Sequence, residues 1–583
     1  MTVPAAPTPP PEDALDTPHA DDSAALAGLI AGFTAAGFTV DGVRALLGDE
    51  ASDALDRDET VPAELVTGRA LDDDAAAAAT RTRAALIRLL LLGLPVRADR
   101  LDAGTVAALR ACRLVEPVAD DRDEPSGSLR SQVDLRPYEA DDGTRLWVAA
   151  DLGALQTDGP LRRDHVLGIG HASLTLAQVT ARRPVDTALD LGTGCGIQTF
   201  HLLRHARHVT ATDLSARALA YTRFNLLLNA AALDLDPADL PARVDLRQGS
   251  LLDPVAGRTF DLIVSNPPFV ITPRRADETA DSRYTYRDGG RAGDRLVTEL
   301  VRALPAHLTA GGTAQLLGNW ETPRGTDWDE TLTAAWFGSQ EMQKDDGREW
   351  WVTQRDTQSP AEYAELWLRD AAQATDPDAY RAAYAAYLAD FAARDVAAIG
   401  FGMIWLRRPA DASAMAANAA DGNAAGGERT STPLRRMETL THAVEQPLGP
   451  ALAATVARHD RLAARDDHAL AALRLTVAPD VTEERHGTPG EPDPAVILLR
   501  QGGGFRRTVQ ASTALAGFVG ASDGELTAGQ IVTALAVLLT PEDPAFAATL
   551  LAQVRRAVVD GFLTIADGAA DPAVDGAADP AVD

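Results

Sequence analysis

Asn266-Pro267-Pro268-Phe269 ends an apolar run that begins at Asp261, and its atoms are suited to holding a planar amide or aryl amine nitrogen. Such a nitrogen is a poor nucleophile because its lone pair is delocalised. The Asn266 side-chain carbonyl and the Pro267 backbone carbonyl can each accept one N–H of an NH2 group. Held that way, the lone pair points outward and its delocalisation is opposed. Pro267 and Pro268 stiffen the turn so that both acceptors converge, and Phe269 offers a face to the planar group. No dedicated base is required, so rate would come from positioning and preorganised acceptors. The plainer alternative is a Pro-Pro turn that only closes a strand.

Upstream, Ala188-Leu-Asp-Leu-Gly-Thr-Gly-Cys-Gly-Ile-Gln198 reads as a buried strand running into a glycine turn that opens a helix. Gly192, Gly194 and Gly196 let the backbone take positive φ and approach a ligand closely, with Thr193 and Cys195 between them. The Gly-x-Gly-x-Gly spacing differs from the Gly-x-Gly-x-x-Gly of dinucleotide enzymes, which leans toward a ligand without pyrophosphate. Asp190 lies at the end of this strand. Asp213 ends the next one, 23 residues on, where an acid can accept both ribose hydroxyls. Leu214 follows it, and Ser250 and Leu251, after a third strand, can meet an adenine ring. These loops lie beyond the carboxyl ends of neighbouring strands, where ligands of open α/β sheets bind. A nucleotide-type cofactor facing a nitrogen clamp points to methyl transfer from S-adenosylmethionine. A Rossmann-like fold holding another nucleotide, or none, is the alternative.

The elements that must position these residues alternate along the chain. Strands are expected at 187–191, 208–213, 243–248, 260–265, 313–319, 349–354 and 399–407, with helical stretches between them. That order predicts an α/β fold, a mostly parallel seven-stranded sheet covered on both faces, like a Rossmann-like class I methyltransferase core over 160–408. A helical insertion is expected at 359–395. Its aromatics, Tyr363, Trp367, Tyr380, Tyr384, Tyr387 and Phe391, fall largely at helical spacings and read as packing.

Residues 21–155 read as a mainly helical, winged-helix-like domain. Asp22-Ser23 and Asp41 are candidate N-caps, Gly48 a candidate stop, and Leu86, Leu89, Leu90 and Leu94 a core stripe. Its hairpin is expected from pieces at 131–138 and 145–151, joined through Asp141-Asp-Gly143. A second winged-helix-like domain is expected at 434–567, with a strand at 494–500, a turn at 501–505 and two or three helices over 513–563. There Arg500, Arg506 and Arg507 read either as a solvated turn or as contacts for nucleic acid. Composition marks 1–20 and the repeat tail 568–583 as disordered and 409–433 as a linker.

The 583 residues carry 84 acids against 54 bases, a formal charge of −30. Such a field disfavours non-specific binding to nucleic acid, which rests on neutralising phosphates, though a local basic groove stays compatible with it. Two cysteines, Cys112 and Cys195, cannot build a disulfide framework, and no Cys/His spacing suggests a metal site. The most apolar run, 84–96, is too short to span a bilayer and contains Arg88. With no signal-peptide pattern at the start, a cytoplasmic protein without membrane contact is expected.

The two motifs, with Ala220–Asn229 and the segment Tyr286-Arg-Asp-Gly-Gly-Arg-Ala-Gly-Asp-Arg-Leu296, resemble the HemK/PrmC family of protein-glutamine N5-methyltransferases. The resemblance covers roughly 185–317 and looks most like the eukaryotic and archaeal branch. It implies S-adenosylmethionine as cofactor, with Asp190, Gly192, Gly194, Gly196 and Asp213 in the cofactor role; Thr193, Cys195, Leu214, Ser250 and Leu251 are expected beside them from their places in the strand-end loops. It places the target amide against Asn266, Pro267 and Phe269 and lays 168–175 over the cofactor; Pro268, Gly289 and Gly290 are expected at the same site. The family usually has Tyr where this chain has Phe269; Phe is frequent in the related guanine-N2 methyltransferases. The expected substrate is a protein glutamine, as in a release factor. The alternatives are an exocyclic amine of RNA or DNA, which a flipped base would present equally well, and a catalytically silent scaffold.

Overall fold

The computed structural model describes residues 16–118, 127–157, 161–274, 288–338, 347–370, 377–409, 432–491, 493–539 and 543–566. The expected repeat tail, nearly all of the expected linker and most of the expected disordered start lie outside them.

The chain opens with four helices, α1 Ser23–Ala36, α2 Val40–Leu55, α3 Val61–Asp72 and α4 Ala78–Leu86. Asp22 caps α1 by accepting from the Ala24 and Ala25 amides, and Gly37, at φ +62°, ends it. Thr39, not Asp41, caps α2, while Gly48 breaks the helical path inside it at φ +73°. After α4 come β1 Val96–Arg97, α5 Ala103–Ala111, β2 Val115–Pro117 and β3 Ser128–Ser131, the strands lying in antiparallel order β1-β3-β2. The N-terminal helices are thus followed by a small three-stranded antiparallel sheet.

The later hairpin, β4 Asp134–Glu139 and β5 Arg145–Ala150, does not join that sheet: it forms a separate two-stranded one. Its free edge is claimed by a helix of the central domain. Asn225 exchanges two bonds with the Ala149 backbone at 2.8 Å, and Asn229 does the same with Trp147 at 2.9 and 2.7 Å.

The central domain runs α6 His171–Val179, β6 Val185–Leu191, α7 Ile197–Leu203, β7 Ala206–Asp213, α8 Ala216–Leu228, β8 Val244–Gln248, β9 Phe260–Ser265, α9 Arg295–Ala303, β10 Leu308–Pro323, β11 Glu349–Gln358 and β12 Val396–Arg407. Strand order is β8-β7-β6-β9-β10-β12-β11, parallel from β8 through β10, with β12 antiparallel to both its neighbours. All seven expected strands are present. β6 and β9 are buried on both faces, which is why they read as unbroken apolar runs. The order reverses at β6, so the ends of β6, β7 and β9 frame a topological switch point. Helices Pro360–Asp370 and Pro377–Ala393 fill the expected insertion, where Tyr363, Tyr387 and Phe391 join Ile271 in a small core of their own.

An eighth strand, β13 Arg435–Thr439, adds parallel to β11, although its sequence falls in the stretch read as C-terminal domain. Arg-Arg-Met-Glu-Thr has no apolar alternation. What holds it is charge and stacking: Arg435 lies 4.6 Å over the Trp350 ring and Arg436 5.1 Å over Trp351. The remainder of the chain packs helices Gly449–Ala463, Thr513–Gly520, Ala528–Leu539 and Phe546–Asp560 around two three-stranded sheets. Arg507 is only 5% exposed and bonds Glu438 at 2.9 Å, while Phe505 stacks on Trp351 at 5.0 Å. Arg500 pairs with Glu484. The expected basic turn is therefore in large part an internal seam joining this unit to β13. No single helix among the described residues is long and apolar enough to cross a membrane.

Candidate cofactor and transfer site

A cavity of about 280 Å³ opens at the switch point. Its floor is the turn after β6. Gly192, Gly194 and Gly196 take φ of +80°, +58° and +96°, values only glycine adopts readily. A Cβ at Gly192 or Gly194 would project into open space, the room a ligand needs. At Gly196 it would meet Phe200 and Thr222 at 3.1 and 3.2 Å, and Gly196 does not line the cavity; it serves helix packing rather than the ligand. The turn is held from two sides. The Thr212 carbonyl accepts the Gly192 and Thr193 amides, and on α8 Thr222 and Asn225 donate to the Gly194 and Cys195 carbonyls, each at 2.9 Å.

Asp190 lies beneath this floor, not in the cavity. Fully buried, its Oδ2 accepts the Thr193 and Thr199 hydroxyls at 2.8 and 2.7 Å. Burial pushes its carboxyl up to about 6, with the two threonine bonds opposing. It shapes the turn, where the sequence expectation had it touching cofactor. Asp213 does face the cavity, with Oδ2 on the Gly194 amide at 3.0 Å and Oδ1 on the Ser215 amide at 2.8 Å. Burial holds its carboxyl above the usual range. Burial likewise pushes the Cys195 thiol up to about 12, so its place in the turn is steric, not nucleophilic.

One end of the cavity is apolar: Leu214, 55% exposed, and Leu251, at φ +47°, flank Ser250 and Gly249. A stretch at 165–168 and Ser173 form another wall, which the sequence expectation reached only from Gly168 onward. Gln198 ties that wall to α7 by donating to the Ser173 carbonyl at 2.7 Å.

The opposite end is Asn266-Pro267-Pro268 with Asp288, Gly289, Gly290 and Arg291. Ser265 at the tip of β9 donates to the Leu191 carbonyl at 2.8 Å, setting the loop beside the glycine turn. Asn266 Oδ1 is buried and, among the described residues, has no hydrogen-bond partner, a cost of about 1–3 kcal/mol that a ligand N–H would relieve. The Pro267 carbonyl accepts the Phe269 amide at 2.7 Å and keeps a second lone pair. Gly289 is fixed by space: a Cβ there would stand 2.5 Å from Leu296 Cδ2 and 3.2 Å from the Pro268 carbonyl oxygen.

Phe269 departs from expectation. Its ring is packed among core residues and does not line the cavity, while its backbone bridges Asp288. Among the lining residues that sequence reasoning missed, Asp288, Arg291 and His165 to Leu167 lie in segments without strand or helix pattern, while Gln198, Ser215 and Ala218 sit on or cap α7 and α8.

The strand order, the glycine turn, Asp213 and the Asn-Pro-Pro loop at one switch point define a class I methyltransferase domain. Comparisons agree. Residues 168–282 match the methyltransferase small domain, and 35–125 match a domain of unknown function, DUF7059. The chain is 32% identical over 159 residues to a ribosomal protein uL3 glutamine methyltransferase of Bradyrhizobium diazoefficiens, covering 26% of this chain and 46% of that one. It is 36% identical over 143 residues to a release factor glutamine methyltransferase of Cereibacter sphaeroides, covering 24% and 48%. The matched stretch thus spans about half the length of these relatives. Among solved structures, a methyltransferase from Pyrococcus furiosus aligns at TM-score 0.22 and 16% identity, over 40% of this chain and 80% of that one. The Thermus thermophilus 16S rRNA N2 G1207 methyltransferase with AdoMet and guanosine aligns at 0.23 and 17%, over 45% and 65%. The central domain is therefore similar, over part of its length, to protein-glutamine methyltransferases.

Proposed function

We propose that the chain is an S-adenosylmethionine-dependent N-methyltransferase acting on a glutamine side chain of a protein, in the class of release factors and ribosomal protein uL3. The observation that carries this is the buried, unpartnered Asn266 Oδ1 at the cavity wall. It belongs to a residue that lines the cavity, where a ligand N–H would satisfy it.

The residues present fit the cofactor: an open glycine floor, a cavity-facing carboxylate in Asp213 for ribose hydroxyls, and an apolar lip in Leu214 and Leu251 for a purine. When bound, S-adenosylmethionine supplies an electrophilic methyl on a sulfonium. Asn266 Oδ1 and the Pro267 carbonyl accept the two N–H bonds of the substrate amide, aiming its nitrogen lone pair into the cavity. Gly289 and Gly290 let backbone close against the planar group. The cavity is open to solvent at its mouth, and the extra proton leaves the product nitrogen that way without a fixed base.

Purified protein is incubated with methyl-tritiated S-adenosylmethionine and a cell extract, then the products are digested separately with nuclease and protease. Label freed by protease as N5-methylglutamine supports the reading; label freed by nuclease moves the substrate to a base amine. Asn266→Ala should lower transfer about 100-fold or more while S-adenosylhomocysteine binding measured by calorimetry survives. Undiminished turnover would remove the mechanism.

A further inference from the structure

Four side chains of α8 and its cap, Arg217, Tyr221, Asn225 and Asn229, recur every fourth residue and so share one helix face. All four bond the end of the β4–β5 hairpin. Asn225 and Asn229 hold the backbone of β5, whereas Arg217 and Tyr221 hold a single carboxylate, Asp151. Arg217 reaches it twice, at 3.1 and 2.5 Å, and the Tyr221 hydroxyl donates at 2.8 Å. Asp151 is buried, and its Oδ2 also accepts the Val166 amide at 2.8 Å. Burial pushes this carboxyl up, but Arg217, the Val166 amide and Tyr221 together hold it below the usual carboxylate range. Val166 belongs to the stretch at 165–168 that lines the cavity. The same Arg217 donates to the Asp16 carbonyl at 2.5 Å, just ahead of the helical domain.

The geometry points to a positioning residue. We propose that Asp151, gripped by Arg217 and Tyr221, holds 165–168 as a wall of the cofactor cavity and couples that wall to the N-terminal domain. Val166 lies in no helix or strand, and its carbonyl accepts the Asp151 backbone amide at 3.1 Å; the Asp151 carboxylate adds a charge-assisted bond to the Val166 amide. Two residues before Arg217, Ser215 lines the cavity, so one helix end fixes both the ribose side and the wall at 165–168. The inference rests on reading the cavity as the S-adenosylmethionine site.

The test uses the full chain and two variants, Asp151→Asn and Tyr221→Phe, with hydrogen exchange of the ligand-free protein and calorimetry with S-adenosylhomocysteine. Asp151→Asn should speed exchange at the 165–168 amides about tenfold or more and raise the S-adenosylhomocysteine Kd by about the same factor. With its kcat at saturating cofactor within about twofold of the parent, the effect falls on KM. Tyr221→Phe should move exchange and Kd the same way by less. Unchanged exchange and Kd in a folded Asp151→Asn protein would overturn the assignment. Should that variant fail to fold, unchanged exchange at Val166 in Tyr221→Phe does so instead. If the parent chain shows no heat with S-adenosylhomocysteine, the cofactor reading itself fails, while the exchange data still decide whether Asp151 anchors the wall.

Discussion

Asp190 and Asp213 end adjacent strands, yet the fold uses them differently. Asp213 keeps a face to the cavity, while Asp190 is enclosed by Thr193, Thr199 and the glycine turn. Its carboxyl, ordinarily 3.8 and here about 6, retains a proton in the folded state that the unfolded chain has already lost. Between those values the folded state binds more protons, so this group's contribution to stability is present below pH 4 and is lost as pH rises through 6. Asp190→Asn should remove that decline. The difference in unfolding free energy between variant and parent is expected to grow in the variant's favour by about 1–3 kcal/mol from pH 4 to 7, read from urea melts at several pH values. A difference that stays flat would show the carboxyl titrating normally.

At the scale of elements, β13 shows how a strand can be stabilised without an apolar pattern. Glu438 accepts the Trp351 indole N–H at 2.7 Å and pairs with both Arg436 and Arg507, while Arg436 also bonds Asp560 at 2.5 Å. Removing Glu438 leaves two largely buried guanidinium groups short of charge. Glu438→Ala should therefore destabilise the chain by about 3 kcal/mol, seen as a lower denaturant midpoint, and Glu438→Gln by less. Helix α8 makes the complementary case. Its Asn-rich half was legible through the family resemblance, because Asn225 bonds the nearby Cys195 carbonyl of the motif itself. The Arg217–Tyr221 grip on Asp151 was not, since it joins residues 66 and 70 apart in sequence.

For the molecule as a whole, the N-terminal helices and one face of the central sheet share a continuous apolar core, and the C-terminal unit is fastened through β13. The boundary between central and C-terminal domains thus runs through the sheet's edge, not at the composition change after β12. A chain ending at residue 409 would lose β13 and uncover the β11 edge with Trp350 and Trp351, both now nearly fully buried. Exposed apolar strand edges associate. That truncation should elute as aggregate in gel filtration where the full chain does not.

The central sheet, the glycine turn, the acid ending β7 and the place of the Asn-Pro-Pro loop were all legible before folding. Each is written in contiguous residues: doubly buried strands as apolar runs, a positive-φ turn as glycines, a stiff acceptor loop as prolines. Other features emerge only when distant segments meet. Asp190 supports the turn rather than touching a ligand, Phe269 and Arg507 turn inward, 134–150 serves α8 and does not join the N-terminal sheet, and an Arg-rich segment is a strand. Those outcomes depend on which distant group reaches a side chain first, and local spacing carries no record of that.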